Sequence, residues 1–179
     1  MHSYAHQYNV TKLHWIFPGG GNGQESIANG IYGLKENGVK EDDLVLIHDA
    51  VRPLVSQGII SSNIAICKQY GYAITGIQCR EAILESDDGF YSTTSIPRDK
   101  FIRTQTPQTF RLTNIIKSHE EARQKGIRNS VSSCTLLAEL GGYEMHIVPG
   151  EERNIKITTT EDLEIFKVLM QTSKEDWLK

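Results

Sequence analysis

Three ionisable side chains stand at the end of an apolar run in the stretch Leu44 to Pro53, LVLIHDAVRP. His48, Asp49 and Arg52 follow four consecutive apolar residues, the pattern of a strand covered on both faces of a parallel sheet. In open α/β sheets ligands sit outside the carboxyl ends of the strands, where Asp49 and Arg52 would lie. Asp offers a hard oxygen ligand suited to Mg2+ beside phosphates, and the planar fork of Arg grips a phosphate. The competing reading is a turn in which Asp49 and Arg52 pair and Pro53 stops the strand. For His48, a partly buried hydrogen-bonded imidazole outweighs catalysis.

Three further groups carry possible chemistry. Gly19 to Ser26, GGGNGQES, would let backbone approach a ligand at a helix start. It has neither the dinucleotide G-x-G-x-x-G spacing nor a GK[ST] loop, and a flexible connection fits it as well. Pro97-Arg98 and the stretch Arg103 to Gln108, RTQTPQ, crowd guanidinium, hydroxyl and amide groups together. Such groups hold phosphates, although an exposed polar arm explains the composition equally. Lys156 lies inside the otherwise apolar NIKIT and could reach phosphates or snorkel to water.

The elements that must position these residues follow from periodicity. Leu13–Phe17 reads as a strand broken by Pro18 and glycines. Asn22-x-x-Glu25 caps a helix carrying Ile27, Ile31 and Leu34 and ending near Gly38. Further helices are expected over 59–70, 113–125 and 132–140. Tyr143, Met145 and Ile147 alternate as a strand, and 154–158 reads as another. Thr159-x-x-Asp162 caps a last helix with Leu163, Phe166 and Met170. Asp87-Asp88-Gly89 is a hairpin turn between two extended runs, a projecting arm over about 78–105. Strands alternating with helices predict a single α/β domain over 1–179, three-layered and Rossmann-like, with a mostly parallel sheet. The first twelve residues give no pattern.

The totals narrow the class. A chain of 179 residues that is 39% hydrophobic suits one packed domain. A net charge of −3 opposes nucleic-acid binding, which needs a basic face. No run approaches the ~20 apolar residues that span a bilayer. Cys67, Cys79 and Cys134, an odd set without CxxC spacing, read as reduced thiols in the cytoplasm.

Taken in order, GGGNGQES before a helix, HDAVRP, the PR…TPQTF segment and NIKITTTEDL resemble the cytidylyltransferases of sugar-alcohol phosphates, over roughly 13–170. Members act on 2-C-methyl-D-erythritol 4-phosphate for isoprenoid biosynthesis, or on ribitol 5-phosphate to make CDP-ribitol. The resemblance implies a nucleotidyltransferase fold in which the polyol phosphate attacks the α-phosphate of CTP, Mg2+ assists and pyrophosphate leaves. It implies that Gly20, Gly21 and Ser26 contact the nucleotide. Asp49 would bind Mg2+ or nucleotide, Arg52 would support the strand end, and Lys156 would contact phosphate or substrate. Arg98 and Thr106 would bind the polyol phosphate, with Arg98 reaching from the arm into the partner of a homodimer. The family's LAAGxGxRM loop has no counterpart before Leu13, so the chain reads as a member without its first part. As written it is expected to make no CDP-polyol; the alternative is an inactive fragment that still dimerises. Glu81-Ala82 and Ser132-Ser133 stand where methylerythritol enzymes have Asp-Thr and Thr-Asp. Together with the TTTEDLEIFKVL ending, these favour a ribitol-type acceptor.

Overall fold

The computed structural model describes residues 2–171. In chain order the elements are α1 (His2–Gln7), α2 (Gly23–Glu36), β1 (Leu44–Ile47), α3 (Gln57–Tyr70) and β2 (Tyr72–Gln78). Then come β3 (Ile83–Glu85), β4 (Thr94–Ile96), β5 (Ile102–Arg111), α4 (Leu112–Gln124), α5 (Ser133–Leu140), β6 (His146–Pro149) and α6 (Thr160–Gln171). Asn22 starts α2 by accepting from the Glu25 amide at 2.9 Å, and Gly71, left-handed at φ 87°, ends α3. Thr159 and Asp162 cap α6 reciprocally, since each side chain accepts from the other's backbone N–H. The two N-terminal caps were legible in the residues themselves.

Four strands pair in the order β1-β5-β2-β6, under helices on both faces. Alternate residues of each strand face opposite layers. Ile74 and Phe110 join Ile31 of α2, Ile115 of α4 and Leu137 of α5 in one core. Ala73 and Val148 face Cys67 of α3 on the other side. The three layers agree with expectation, but the sheet is mixed. β5 runs antiparallel to both β1 and β2, and only the β2–β6 pair is parallel. The reason is β5, which returns from β2 through the β3–β4 excursion with no crossover helix and so runs antiparallel; its polar residues and internal proline hid it as a central strand. A register shift between Ile74 and Gly76 opens a bulge opposite Pro107, whose carbonyl accepts from the Thr75 hydroxyl at 2.6 Å.

Two expected strands are absent. Residues 13–17 are irregular: the Phe17 ring lies against Gly33 of α2, and Pro18 accepts from the Asn29 side chain, so the segment follows the helix. Residues 154–158 are also irregular, because Asn154 anchors them sideways to β5 instead of along a ladder. β3 and β4 form a separate two-stranded hairpin with Phe90 and Tyr91 exposed at its tip. The carboxyl end of β1 meets the middle of β5, and β6 ends beside Gly76 of β2, opposite Thr104, which places the loops after β1 and β6 around one cleft.

Candidate active site

The cleft encloses about 440 Å3 and is lined by Ser26, the stretch His48-Asp49, Arg52, Thr104 to Thr106, Gln108, the start of α5 and Lys156. Asp49 stands at its centre. Its Oδ2 lies 3.2 Å from Lys156 Nζ and 3.4 Å from Arg52 Nε. Lys156 is half-exposed, Asp49 a third, and Arg52 nearly buried, so the ammonium faces the solvent side of the triad. Arg52 also donates to the Asn154 carbonyl at 2.7 Å. The pairing expected of the turn reading exists, and Lys156 joins it at the same Asp49 oxygen.

A chain of hydrogen bonds sets the Asp49 backbone. His48 Nε2 is 3.0 Å from the Arg52 carbonyl, which can only accept, so the neutral ring carries its proton there. Nδ1, 3.0 Å from Thr106 Oγ1, then accepts the threonine's one proton. The same Oγ1 accepts from the Asp49 amide at 3.0 Å. In the free cleft the Thr106 hydroxyl is thus bonded to both His48 and the Asp49 amide. His48 is the satisfied imidazole expected of it, and links β1 to β5.

Asn154 is fully buried and donates to the Thr106 carbonyl at 2.8 Å and to Gln105 Oε1 at 3.2 Å. Gln105 donates to the Glu151 carbonyl, and the Ile157 amide to the Val51 carbonyl. These bonds fasten the 151–157 loop, and with it Lys156, across the ends of β1 and β5. Gly150 permits the approach, since a Cβ there would sit 2.5 Å from Gln105 Oε1. On the opposite wall, Ser132 caps α5, and Gln108 holds the next turn by accepting from the Cys134 amide at 3.0 Å. The Ser133 hydroxyl is buried without a partner.

The glycine loop closes on itself. The Gly20 amide donates to Ser26 Oγ at 2.9 Å, and Gly21 to Glu25 Oε2 at 2.7 Å. A side chain on Gly20 would collide with Glu25. Arg98 lies elsewhere: it donates to the Arg80 carbonyl at 2.7 Å and lines a separate hollow at the base of the hairpin. Arg103 holds both oxygens of Glu152 at 2.8 Å.

A family model described as 2-C-methyl-D-erythritol 4-phosphate cytidylyltransferase matches residues 3–172. The chain belongs to this family. It is 32% identical to the ribitol-5-phosphate cytidylyltransferase of Lacticaseibacillus paracasei, over 96% of this chain and 73% of that one. It is 35% identical to the 2-C-methyl-D-erythritol 4-phosphate cytidylyltransferase of Clostridium acetobutylicum, over 96% and 72%. The crystal structure of the Thermus thermophilus 2-C-methyl-D-erythritol 4-phosphate cytidylyltransferase superposes with a TM-score of 0.74 at 30% identity. That match covers 86% of this chain and 71% of that one.

Against this cytidylyltransferase frame, the cleft brings together Asp49, Arg52, Thr106, Ser26 and Lys156 from segments far apart in sequence. Gly20 and Gly21 stand behind Ser26, while Arg98 is outside the cleft of its own chain. Sequence reasoning offered the Gln105 and Gln108 amides as phosphate holders and gave Asn154 no role; their observed bonds instead fasten the walls of the cleft. Their signal was a set of amides in otherwise strand-like stretches, which stay buried because they find partners: both ends of Gln105 and Gln108 are bonded, and the Asn154 NH2 makes two bonds.

Proposed function

We propose that this cytidylyltransferase transfers CMP from CTP to a sugar-alcohol phosphate, with ribitol 5-phosphate as the acceptor. The observation that carries the reading is the Lys156–Asp49–Arg52 constellation at the convergent strand ends. An oxygen of the polyol phosphate attacks the α-phosphorus, the bond to the β-phosphate breaks, and pyrophosphate leaves with its electrons. Lys156 moves from Asp49 to the phosphate and offsets the charge that grows there. Arg52 keeps Asp49 and the 154–157 backbone in register. Gly20, Gly21 and Ser26 shape the nucleotide side of the cleft.

Asp49 fits a magnesium site. Its ion pairs all use Oδ2, and it is accessible enough for Oδ1 to bind a cation. No cluster of three or more acidic, histidine or cysteine ligands exists among the described residues. Mg2+ would accordingly rest on Asp49 and on substrate phosphates, its usual arrangement with nucleotides, and would neutralise the triphosphate. Arg98 holds the acceptor phosphate of a neighbouring subunit, which is why it faces away from its own cleft, and the exposed hairpin tip docks on that subunit. Ribitol 5-phosphate is favoured because Ala82 and Ser132-Ser133 replace the side chains of the methylerythritol pattern.

The test is competition. The protein at its full expressed length is given CTP, Mg2+ and equal amounts of ribitol 5-phosphate and 2-C-methyl-D-erythritol 4-phosphate, and products are read by mass spectrometry. CDP-ribitol should dominate. Dominance of the methylerythritol product would replace the acceptor, and absence of both would overturn the activity.

A further inference from the structure

Outside the catalytic cleft, a second cavity of about 250 Å3 lies between α2 and α4. Ala28, Tyr32 and Ile127 form its apolar side. His119, Arg123 and Arg128 form its polar side. His119 is 5% exposed, and its Nε2 is buried with no hydrogen-bond partner. A buried imidazole nitrogen without a partner is destabilising, and a ligand oxygen would supply the missing bond. Nothing in the transfer chemistry uses this group.

Among the described residues, neither guanidinium at the rim makes a hydrogen bond or an ion pair. Arg123 acts on Tyr32: burial and then Glu120 raise the phenol's pKa, and Arg123 opposes them. The acid in the lining, Glu25, has Oε2 occupied by the Gly21 amide. Other polar side chains of the lining are committed as well. Gln24 donates to the Ile127 carbonyl and accepts from the Ser130 amide, and Asn29 donates to Pro18. The groups left over are two cations at the mouth, one neutral imidazole inside, the Tyr32 hydroxyl and the second oxygen of Glu25, so the two guanidiniums outnumber the single carboxylate.

We infer that the cavity between α2 and α4 binds a small phosphate monoester, separately from the catalytic cleft. Arg123 and Arg128 take the phosphate at the mouth with charge-assisted hydrogen bonds. The carbon body lies along Tyr32, Ala28 and Ile127, and a hydroxyl reaches His119 Nε2. The volume suits an ester of a few carbons and excludes a nucleoside triphosphate, since ordinary ligand pockets begin near about 300 Å3. Occupancy has a route to the cleft. Gln24 ties α2 to Ile127 and Ser130, and Asn22 donates to the Arg128 carbonyl, so the same loop that walls the cavity leads into the α5 cap at Ser132.

The experiment follows the His119 ring by proton–nitrogen NMR of the full chain, titrated with inorganic phosphate or glycerol 3-phosphate. Both should shift its signals saturably. Glycerol 3-phosphate should bind more tightly, because it alone has a carbon body that carries a hydroxyl from the phosphate at the mouth to Nε2. The response should survive Lys156→Ala, which disables the cleft. It should weaken roughly tenfold for each of Arg123→Gln and Arg128→Gln. Both arginines are exposed, so these variants keep the fold, and an unchanged melting temperature checks it. An unmoved His119 ring, equal response in the double arginine variant, or loss of response in Lys156→Ala would each overturn the site. The Lys156→Ala arm separates this outcome from failure of the proposed transfer reaction.

Discussion

In the free protein Lys156 leans on Asp49, and a triphosphate must draw it away. Removing the ammonium therefore has a larger effect on turnover than on folding, because a half-exposed ion pair contributes little stability. Lys156→Ala should lower kcat of the full-length enzyme roughly 10²–10³-fold, read from steady-state formation of the CDP-polyol. Near-normal kcat would remove Lys156 from the reaction. Asp49→Asn should weaken the Mg2+ dependence of the same assay, with its folded stability little changed. His119 gives a different kind of residue-level signal. Burial depresses its pKa from 6.5 to about 4, so the unfolded chain binds the proton first. Its stabilising effect is complete above 6.5 and is lost as pH falls from 6.5 towards 4. Urea midpoints should fall across that window, and the slope should flatten in His119→Gln.

At the scale of elements, β5 decides where the site lies. A strand with the sequence IRTQTPQTFR would be discarded by propensity, since proline and glutamine are poor residues for the middle of a sheet. It survives because its buried polar side chains have fixed partners in α3, α5 and the 151–157 loop. The helices were legible because caps and apolar spacing are local signals, as at Asn22 and Thr159. β1 was legible from its four apolar residues. β5 was not, because its stabilising partners are distant in sequence, and no window of local pattern contains them. The same cause produced the mistaken strand over 154–158, an apolar alternation that Asn154 pulls out of the ladder. Asn154→Ala should leave the Thr106 carbonyl and the Gln105 side chain poorly paired, while Arg52 keeps its bond to the main-chain carbonyl, and cost about 2–3 kcal/mol in chemical unfolding. Turnover should fall further than stability alone explains, because Lys156 loses its anchor. A variant with wild-type stability and turnover would contradict the role of this side chain.

For the molecule as a whole, the position of Arg98 is the deciding matter. If it serves a neighbouring subunit, then Arg98→Ala and Lys156→Ala chains are each impaired for different reasons. Unfolding and refolding them together in equal amounts should restore about a quarter of wild-type turnover, since half the dimers are mixed and each has one intact site. No recovery would place Arg98 in service of its own chain or outside the reaction.

The hairpin that carries Arg98 has one more consequence. Its ladder, Ile83 to Glu85 against Thr94 to Ile96, shares no strand with the four-stranded sheet. The strands on either side of it, β2 and β5, are each other's partners. Everything before the tip supplies β1 and β2; everything after it supplies β5 and β6, and the two sets alternate across the sheet. The fold is thus two interleaved half-chains joined at an exposed loop. Opened between Asp88 and Gly89 and co-expressed, the halves should reassemble into one molecule, as a split protein whose fragments have no stable sheet apart.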